Sequence, residues 1–162
     1  VRSQRPAKLT LAGGSDRKTS AGKLIRDTIA KSRYADDIEA VGMVEFGEPL
    51  FSLYRQNDLL IQPSLSEGTP RTLVEARSVG LPVIATNVGG IPSSITDEKD
   101  GLLVPPRNPT CLANSILRVL DDETLRLRLI QRGLDSRDSY SLEDFADQLI
   151  SELGIAVQES TV

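Results

Sequence analysis

The sequence has no histidine and no tryptophan, and its 162 residues include one cysteine and one methionine. Without an imidazole, these residues cannot perform histidine-based acid-base or nucleophilic catalysis. The single cysteine, Cys111, excludes an internal disulfide framework and favours a reducing compartment. Its neighbourhood, NPTCLANSI, is typical of a small buried apolar residue rather than of a nucleophile.

Long apolar runs and an excess of positive charge are also lacking. No run approaches the roughly 18 apolar residues of a membrane-spanning helix, which predicts a soluble or at most peripheral protein. Lys and Arg number 19 against 23 Asp and Glu, so the formal net charge is -4. This balance predicts no broad surface for nucleic acid. An anionic ligand would have to be held by a local feature.

The length and the 39% hydrophobic content predict one well-cored domain. We assign this domain to residues 1–153 and expect residues 154–162, which lack periodicity, to be frayed. The chain begins at Val1 without an initiator methionine, and we therefore expect that upstream sequence is missing.

Short β-rich apolar runs alternate with helical patterns, which is typical of βαβ units. Strands are predicted at 8–13, 38–44, 59–64, 82–86 and 101–105, and helices at 21–32, 50–56, 70–79, 92–95, 109–120, 123–132 and 142–153. The strand centres are apolar on both faces, as in a parallel sheet that helices cover on each side. The predicted fold is α/β with a Rossmann-like, doubly wound parallel sheet.

In such a sheet the ligand lies beyond the carboxyl ends of the strands. The loop after the first predicted strand contains Gly13 and Gly14, the loop after the third reads SLSEGTP, and the loop after the fourth reads NVGGIP. Glycine pairs adopt positive φ and let a ligand approach the backbone closely. One pair is typical of an ordinary turn, but three loops at one sheet edge, two of them with glycine pairs, favour a binding site.

The loop after the third strand also leads into a helix. We predict Thr69 as the N-cap residue and Pro70 as the first helical residue. The backbone N–H groups of Arg71, Thr72 and Leu73 then have few intrahelical acceptors. Together with the helix dipole they predict a phosphate site that does not depend on net charge.

Two glutamates, Glu67 and Glu75, lie eight positions apart around this helix start. Glu75 lies ~7 Å along the helix axis from the start. Ionised carboxylates suit the paired hydroxyls of a ribose or a hexose, and a nucleotide-diphosphate sugar carries hydroxylated rings on both sides of its diphosphate. Most glutamates are simply solvated, but Glu75 lies among apolar residues in LVEARSVG. We therefore favour a sugar-nucleotide site.

The segment EGTPRTLVEA resembles the E-x7-E motif of the retaining, nucleotide-sugar-dependent glycosyltransferases of family 4, which have the GT-B fold. Residues 57–106 follow the second-domain pattern of that family, and KLTLAGG and VEFGEPLFSLY resemble the strand-loop units that precede it. The resemblance covers about residues 8–153. It implies one half of a two-domain GT-B architecture, namely the C-terminal donor-binding domain without its first strand-helix unit.

The resemblance also implies roles for individual residues. Glu67 would be the catalytic residue that holds hydroxyls of the transferred sugar, and Glu75 would hold the ribose diol. No metal and no other cofactor is expected, because the helix dipole and cationic side chains stabilise the departing diphosphate. The residues expected to bind a UDP- or GDP-linked donor are Gly13, Gly14, Gly68, Thr69, Pro70, Arg71, Thr72, Leu73 and Glu75.

The expected partners are a nucleotide sugar and an acceptor sugar, lipid or polysaccharide that a missing N-terminal domain would hold. The expected location is cytoplasmic, including peripheral association with the cytoplasmic face of a membrane. The missing unit normally carries an Arg and a Lys that neutralise the diphosphate, so we expect the isolated chain to be inactive.

Two alternatives stay open. The first is a related GT-B enzyme, such as a sugar-nucleotide epimerase or a glycogen-synthase-like polymerase, because one scaffold hosts several reactions. The second is a non-catalytic Rossmann-like interaction module. An NAD site is less favoured, because the GGS after the first strand does not match G-x-G-x-x-G.

Overall fold

The computed structural model describes residues 6–14 and 19–136. The chain divides into two compact units, Val1–Leu53 and Tyr54–Val162. The predicted helix at 142–153 and the predicted frayed tail at 154–162 lie outside the described residues, and the assignment of residues 1–153 to one domain stays a prediction.

The first unit contains a pair of parallel strands. Strands β1 (Leu9–Ala12) and β2 (Ile38–Gly42) pair with Leu9 opposite Ile38, and helix α1 (Ser20–Ala30) connects them. The Thr19 hydroxyl accepts a hydrogen bond from the Gly22 N–H at 3.0 Å, which caps the start of α1. Helix α2 (Glu48–Arg55) follows β2.

The second unit is built around three parallel strands in the order β3-β4-β5. The elements are β3 (Leu60–Gln62), α3 (Arg71–Ser78), β4 (Val83–Thr86), α4 (Ile91–Ser94), β5 (Leu102–Val104), α5 (Pro109–Asp121) and α6 (Glu123–Asp135). Leu60 pairs with Val83, and Ile84 pairs with Leu102. The carboxyl ends of the three strands therefore lie at one edge of this sheet.

The core of the second unit lies around β4, whose four residues are all buried. The core cluster comprises Ile84, Leu102, Val104, Val119, Leu125 and Leu129. It joins β4 and β5 to α5 and α6, whose N-termini are capped by the side chains of Asn108 and Asp122. Cys111 packs against this cluster as a partly buried residue, in the apolar role that the sequence predicts.

The α/β class with parallel strands and flanking helices is confirmed. All five predicted strands and six of the seven predicted helices are present, and their ends lie within about three residues of the predicted ones. The described strands form two sheets, of two and three strands, because β1 pairs with β2 and β3 pairs with β4. None of the described helices is long and apolar enough to cross a bilayer.

Candidate functional site

The candidate site lies at the carboxyl edge of the β3-β4-β5 sheet. Residues 63–70 connect β3 to α3, and residues 87–90 connect β4 to α4. The Thr86 hydroxyl, at the end of β4, donates a hydrogen bond to the Ser64 carbonyl at 2.6 Å. This bond fixes the start of the β3-α3 loop to the neighbouring strand.

Glu67 is partly buried in the β3-α3 loop, and polar side chains hold it. Its Oε1 accepts a hydrogen bond from the Gln62 amide at 2.8 Å and another from the Ser64 hydroxyl at 2.7 Å. Among the described residues, both hydrogen bonds to this carboxylate go to Oε1. The second oxygen, Oε2, accepts no hydrogen bond from the residues that the structure describes.

The glycine pair of the β4-α4 loop packs against the backbone beside Glu67. The Gly90 N–H donates to the Glu67 carbonyl at 3.3 Å. A Cβ atom on Gly89 would lie 1.9 Å from the Glu67 carbonyl oxygen, and one on Gly90 would lie 2.5 Å from the Gly68 carbonyl oxygen. The group that approaches this glycine pair closely is the Glu67–Gly68 turn of the same protein, and the approach of a ligand stays a prediction.

The start of α3 differs from the prediction. The helix begins at Arg71, and Pro70 is the N-cap residue with extended backbone angles (φ -75°, ψ 111°), so the assignment of Thr69 as the cap is wrong. The reason is conformational, because a ψ near 111° places Pro70 outside the helix. The Leu73 N–H already donates to the Pro70 carbonyl at 3.3 Å, and the Leu73 side chain is fully buried.

Glu75 lies inside α3 with a side chain that is 16% exposed. Its Oε2 accepts a hydrogen bond from the Tyr54 hydroxyl at 3.2 Å. Its Oε1 lies 3.8 Å from Nε of Arg71, one helical turn earlier, whose own side chain is 82% exposed. Glu75 is therefore held from both sides.

The Tyr54 hydroxyl has a raised pKa. Burial of the ring is the largest cause, followed by the negative charge of Glu75 and the hydrogen bond to it. In the folded protein Tyr54 keeps its proton at pH values where an unfolded tyrosine, with its ordinary pKa of 10.0, has lost it. Its contribution to stability is therefore complete below pH 10 and declines as the pH rises further.

Because the pKa of Tyr54 is raised in the folded protein, the wild type should lose stability at alkaline pH, and Tyr54→Phe should remove this loss. We expect the free energy of unfolding of the wild type to fall with pH above 10 by up to about 1.4 kcal/mol per pH unit more than that of Tyr54→Phe. Urea unfolding at a series of pH values measures both slopes. The control is Tyr34→Phe, which changes a half-exposed tyrosine. Equal slopes for the wild type and Tyr54→Phe would contradict this assignment.

The structure brings Glu67, Gly68, Thr69, Pro70 and α3 together in one part of the second unit. Gly13 and Gly14 belong to the first unit, where Gly13 follows β1 with a φ of 107° and donates a hydrogen bond to the Gly42 carbonyl at 2.7 Å. Their contribution to ligand binding stays a prediction.

Sequence reasoning missed the side chains that hold the two glutamates, namely Gln62, Ser64 and Tyr54. Gln62 carried a usable signal, because it is a polar residue at the carboxyl end of an otherwise apolar strand, LLIQ. Tyr54 carried none, because it precedes Glu75 by 21 residues and lies on another helix.

Comparison with known proteins places these features in a family. Residues 1–122 match the family model described as glycosyl transferases group 1. The D-inositol 3-phosphate glycosyltransferase of Corynebacterium efficiens is 34% identical over 104 residues, which are 64% of this chain and 24% of that protein. An uncharacterized glycosyltransferase of Methanocaldococcus jannaschii is 29% identical over 153 residues, which are 94% of this chain and 38% of that protein.

Solved structures agree with the fold. Sucrose-phosphate synthase from Thermosynechococcus elongatus superposes with a TM-score of 0.79 at 30% identity, covering 93% of this chain and 39% of that one. HepE from Anabaena, solved in complex with UDP-glucose, superposes with a TM-score of 0.79 at 20% identity, covering 92% of this chain and 41% of that one. The predicted GT-B-like fold is confirmed, and the chain spans well under half of these relatives.

Proposed function

Since the chain belongs to the group 1 glycosyl transferases, we propose that it binds the sugar-nucleotide donor of a retaining glycosyltransferase of family 4. The single observation that carries this proposal is the pair of held carboxylates around the start of α3. Glu67 lies before the helix with its Oε1 fixed, and Glu75 lies inside it with its Oε2 fixed. The other oxygen of each carboxylate accepts hydrogen bonds from a hydroxyl group in this proposal; in Glu75 that oxygen, Oε1, lies 3.8 Å from Arg71, which the ligand would displace.

In this proposal each feature of the site binds one part of the donor. Glu67 is the catalytic residue that accepts hydrogen bonds from hydroxyls of the transferred sugar. Gly68, Thr69 and Pro70 lie beside that sugar. Backbone N–H groups in the first turn of α3, at Arg71 and Thr72, bind the diphosphate as it leaves with negative charge. Glu75 accepts hydrogen bonds from the ribose diol and completes the E-x7-E motif.

The Arg71 side chain fits this proposal as a mobile cation. It is 82% exposed and pairs with Glu75 at 3.8 Å, a distance too long for a strong hydrogen bond. A diphosphate at the start of α3 would offer the guanidinium a more highly charged partner. No metal is needed in this scheme, because the helix N-terminus and the cation share the stabilisation of the leaving group.

A UDP- or GDP-linked sugar is the proposed ligand. The complexes of HepE with UDP and with UDP-glucose support this class of donor for a protein of the same fold. An acceptor sugar, lipid or polysaccharide would be held by a further domain of a longer cytoplasmic or peripheral protein. The isolated chain would bind donor without turning it over.

Isothermal calorimetry with UDP, GDP, UDP-glucose and GDP-mannose tests the proposal. We expect Glu75→Ala to raise the Kd for nucleotide and for nucleotide sugar about 10- to 100-fold. Both ligands carry the ribose diol, and both would lose its hydrogen bonds to the charged carboxylate. Glu67→Ala should affect only the nucleotide sugars.

The control for this experiment is Glu123→Ala, which removes an exposed glutamate from the first turn of α6. It should leave every Kd unchanged. A wild type that binds none of the four ligands would disprove donor binding. With the longer protein, the anomeric configuration of the product tests retention, and product identity separates transfer from epimerisation and polymerisation.

A further inference from the structure

One glutamine side chain connects the two halves of the candidate site. Gln62 is the last residue of β3, and its Nε2 donates to Glu67 Oε1 at 2.8 Å. Its Oε1 faces the Thr72 hydroxyl, in the first turn of α3, across 3.5 Å, which is a long and weak hydrogen bond. The sugar-side carboxylate and the helix start are therefore joined through a single amide.

The orientation of this amide follows from its neighbours. A carboxylate only accepts hydrogen bonds, so the NH₂ end of Gln62 has to face Glu67. The carbonyl end then faces Thr72, whose hydroxyl can donate to it. Glutamate at position 62 would have the same shape but no donor for Glu67, and leucine would have a similar size but no polar atoms.

Ser64 also donates to Glu67 Oε1, at 2.7 Å. Its backbone is fixed by the hydrogen bond from Thr86 to the Ser64 carbonyl. The Gln62 Nε2 also lies 3.1 Å from the Ser64 hydroxyl, so Gln62 donates hydrogen bonds to both Ser64 and Glu67. Ser64 anchors Glu67 locally, whereas Gln62 relates Glu67 to α3.

We propose that Gln62 is a positioning residue that the donor site needs to recognise the transferred sugar. It fixes Glu67 through Oε1, so that Oε2 meets the hydroxyls of the transferred sugar at a set distance from the first turn of α3. This inference rests on the proposed function. It predicts that loss of the Gln62 amide weakens recognition of the sugar while recognition of the nucleotide is retained.

The readout is the ratio of two affinities, because a purely structural role would change both. For each protein, calorimetry gives the Kd for UDP divided by the Kd for UDP-glucose, and the same ratio for GDP and GDP-mannose. For whichever of the two nucleotides the wild type binds, we expect Gln62→Leu to lower this ratio about 5- to 20-fold. Its Kd for the sugar-free nucleotide should stay within about twofold of the wild type.

Gln62→Glu is the second variant. It keeps the size and polarity of the side chain, so it should remain folded if Gln62→Leu does not, and it places a second carboxylate against Glu67. We expect Gln62→Glu to lower the ratio by at least as large a factor as Gln62→Leu does. The matched control is Gln131→Leu, which removes an exposed amide that donates to Asp135 at 2.8 Å on α6. This control should keep the wild-type ratio.

Three results would overturn the inference. If either Gln62 variant weakens nucleotide and nucleotide sugar equally, its role is structural. If both keep the wild-type ratio while Glu67→Ala lowers it, Glu67 functions without Gln62 and only this inference fails. If the wild type binds no nucleotide sugar, the proposed function fails together with it.

Discussion

Gly89→Ala is expected to destabilise the second unit by about 2 to 5 kcal/mol. Gly89 has a φ of 53°, a conformation that costs an L-residue about 1 to 2 kcal/mol. A Cβ atom would also lie 1.9 Å from the Glu67 carbonyl oxygen, so the loop or the Glu67 turn would have to move. Urea unfolding measures the loss of stability, and calorimetry should show weaker sugar-nucleotide binding by the fraction that stays folded.

Gly68→Ala is the matched control for this prediction. Gly68 lies in the turn that contacts the glycine pair, yet a Cβ atom there would meet no atom within 4 Å, and its φ is not positive. We expect its unfolding free energy to stay within about 1 kcal/mol of the wild type. If Gly89→Ala were as stable as Gly68→Ala, the close packing of residues 87–90 on Glu67 would be disproved.

Asp100→Asn is expected to cost about 3 to 5 kcal/mol. Its partner is Arg77 on α3. The Arg77 side chain is 1% exposed, and its Nη1 lies 3.0 Å from Asp100 Oδ2. The other guanidinium nitrogens donate to the backbone carbonyls of Leu73 and Ser94. Arginine keeps its charge in a folded protein, so neutralising Asp100 leaves this buried charge without its counter-ion.

The double variant Arg77→Met/Asp100→Asn tests whether the buried charge causes the loss of stability. Because the methionine removes the buried charge, the double variant should be more stable than Asp100→Asn alone. Glu98→Gln is the matched control, since it breaks an ion pair with Arg118 in which both side chains are 47% exposed. Glu98 also lies 3.9 Å from Arg128, but solvent screens these exposed side chains, so the loss should be smaller than that of Asp100→Asn. Equal losses for Asp100→Asn and Glu98→Gln would contradict the argument.

Arg77 also shows why the sequence misleads about charge in α3. In LVEARSVG, arginine at this position is compatible with a solvated helix face. In the structure it is among the most deeply buried side chains, because α6 approaches so closely that a Cβ on Gly133 would lie 3.1 Å from the Arg77 Cβ. The residues that compensate its charge, Ser94 and Asp100, follow it by 17 and 23 positions. No local pattern contains that information.

The elements themselves were predictable for a physical reason. The strands of the second unit are short apolar runs. The N-cap residues of α5 and α6 are Asn108 and Asp122, whose side chains accept hydrogen bonds from backbone N–H groups three residues later. Such signals act within one turn of chain. The rule failed at α3, where Thr69 looks like a cap but the rigid ring of Pro70 takes that place in an extended conformation.

The sequence by itself determined the alternation of strands and helices and the position of two glutamates around a helix start. Tertiary structure decided which oxygen of each glutamate is held, by Gln62 and Ser64 in one case and by Tyr54 in the other. It also decided that Gly89 and Gly90 accommodate the Glu67 turn. Backbone preferences act over three or four residues, whereas these contacts join side chains and loops that meet only after the strands and helices have packed.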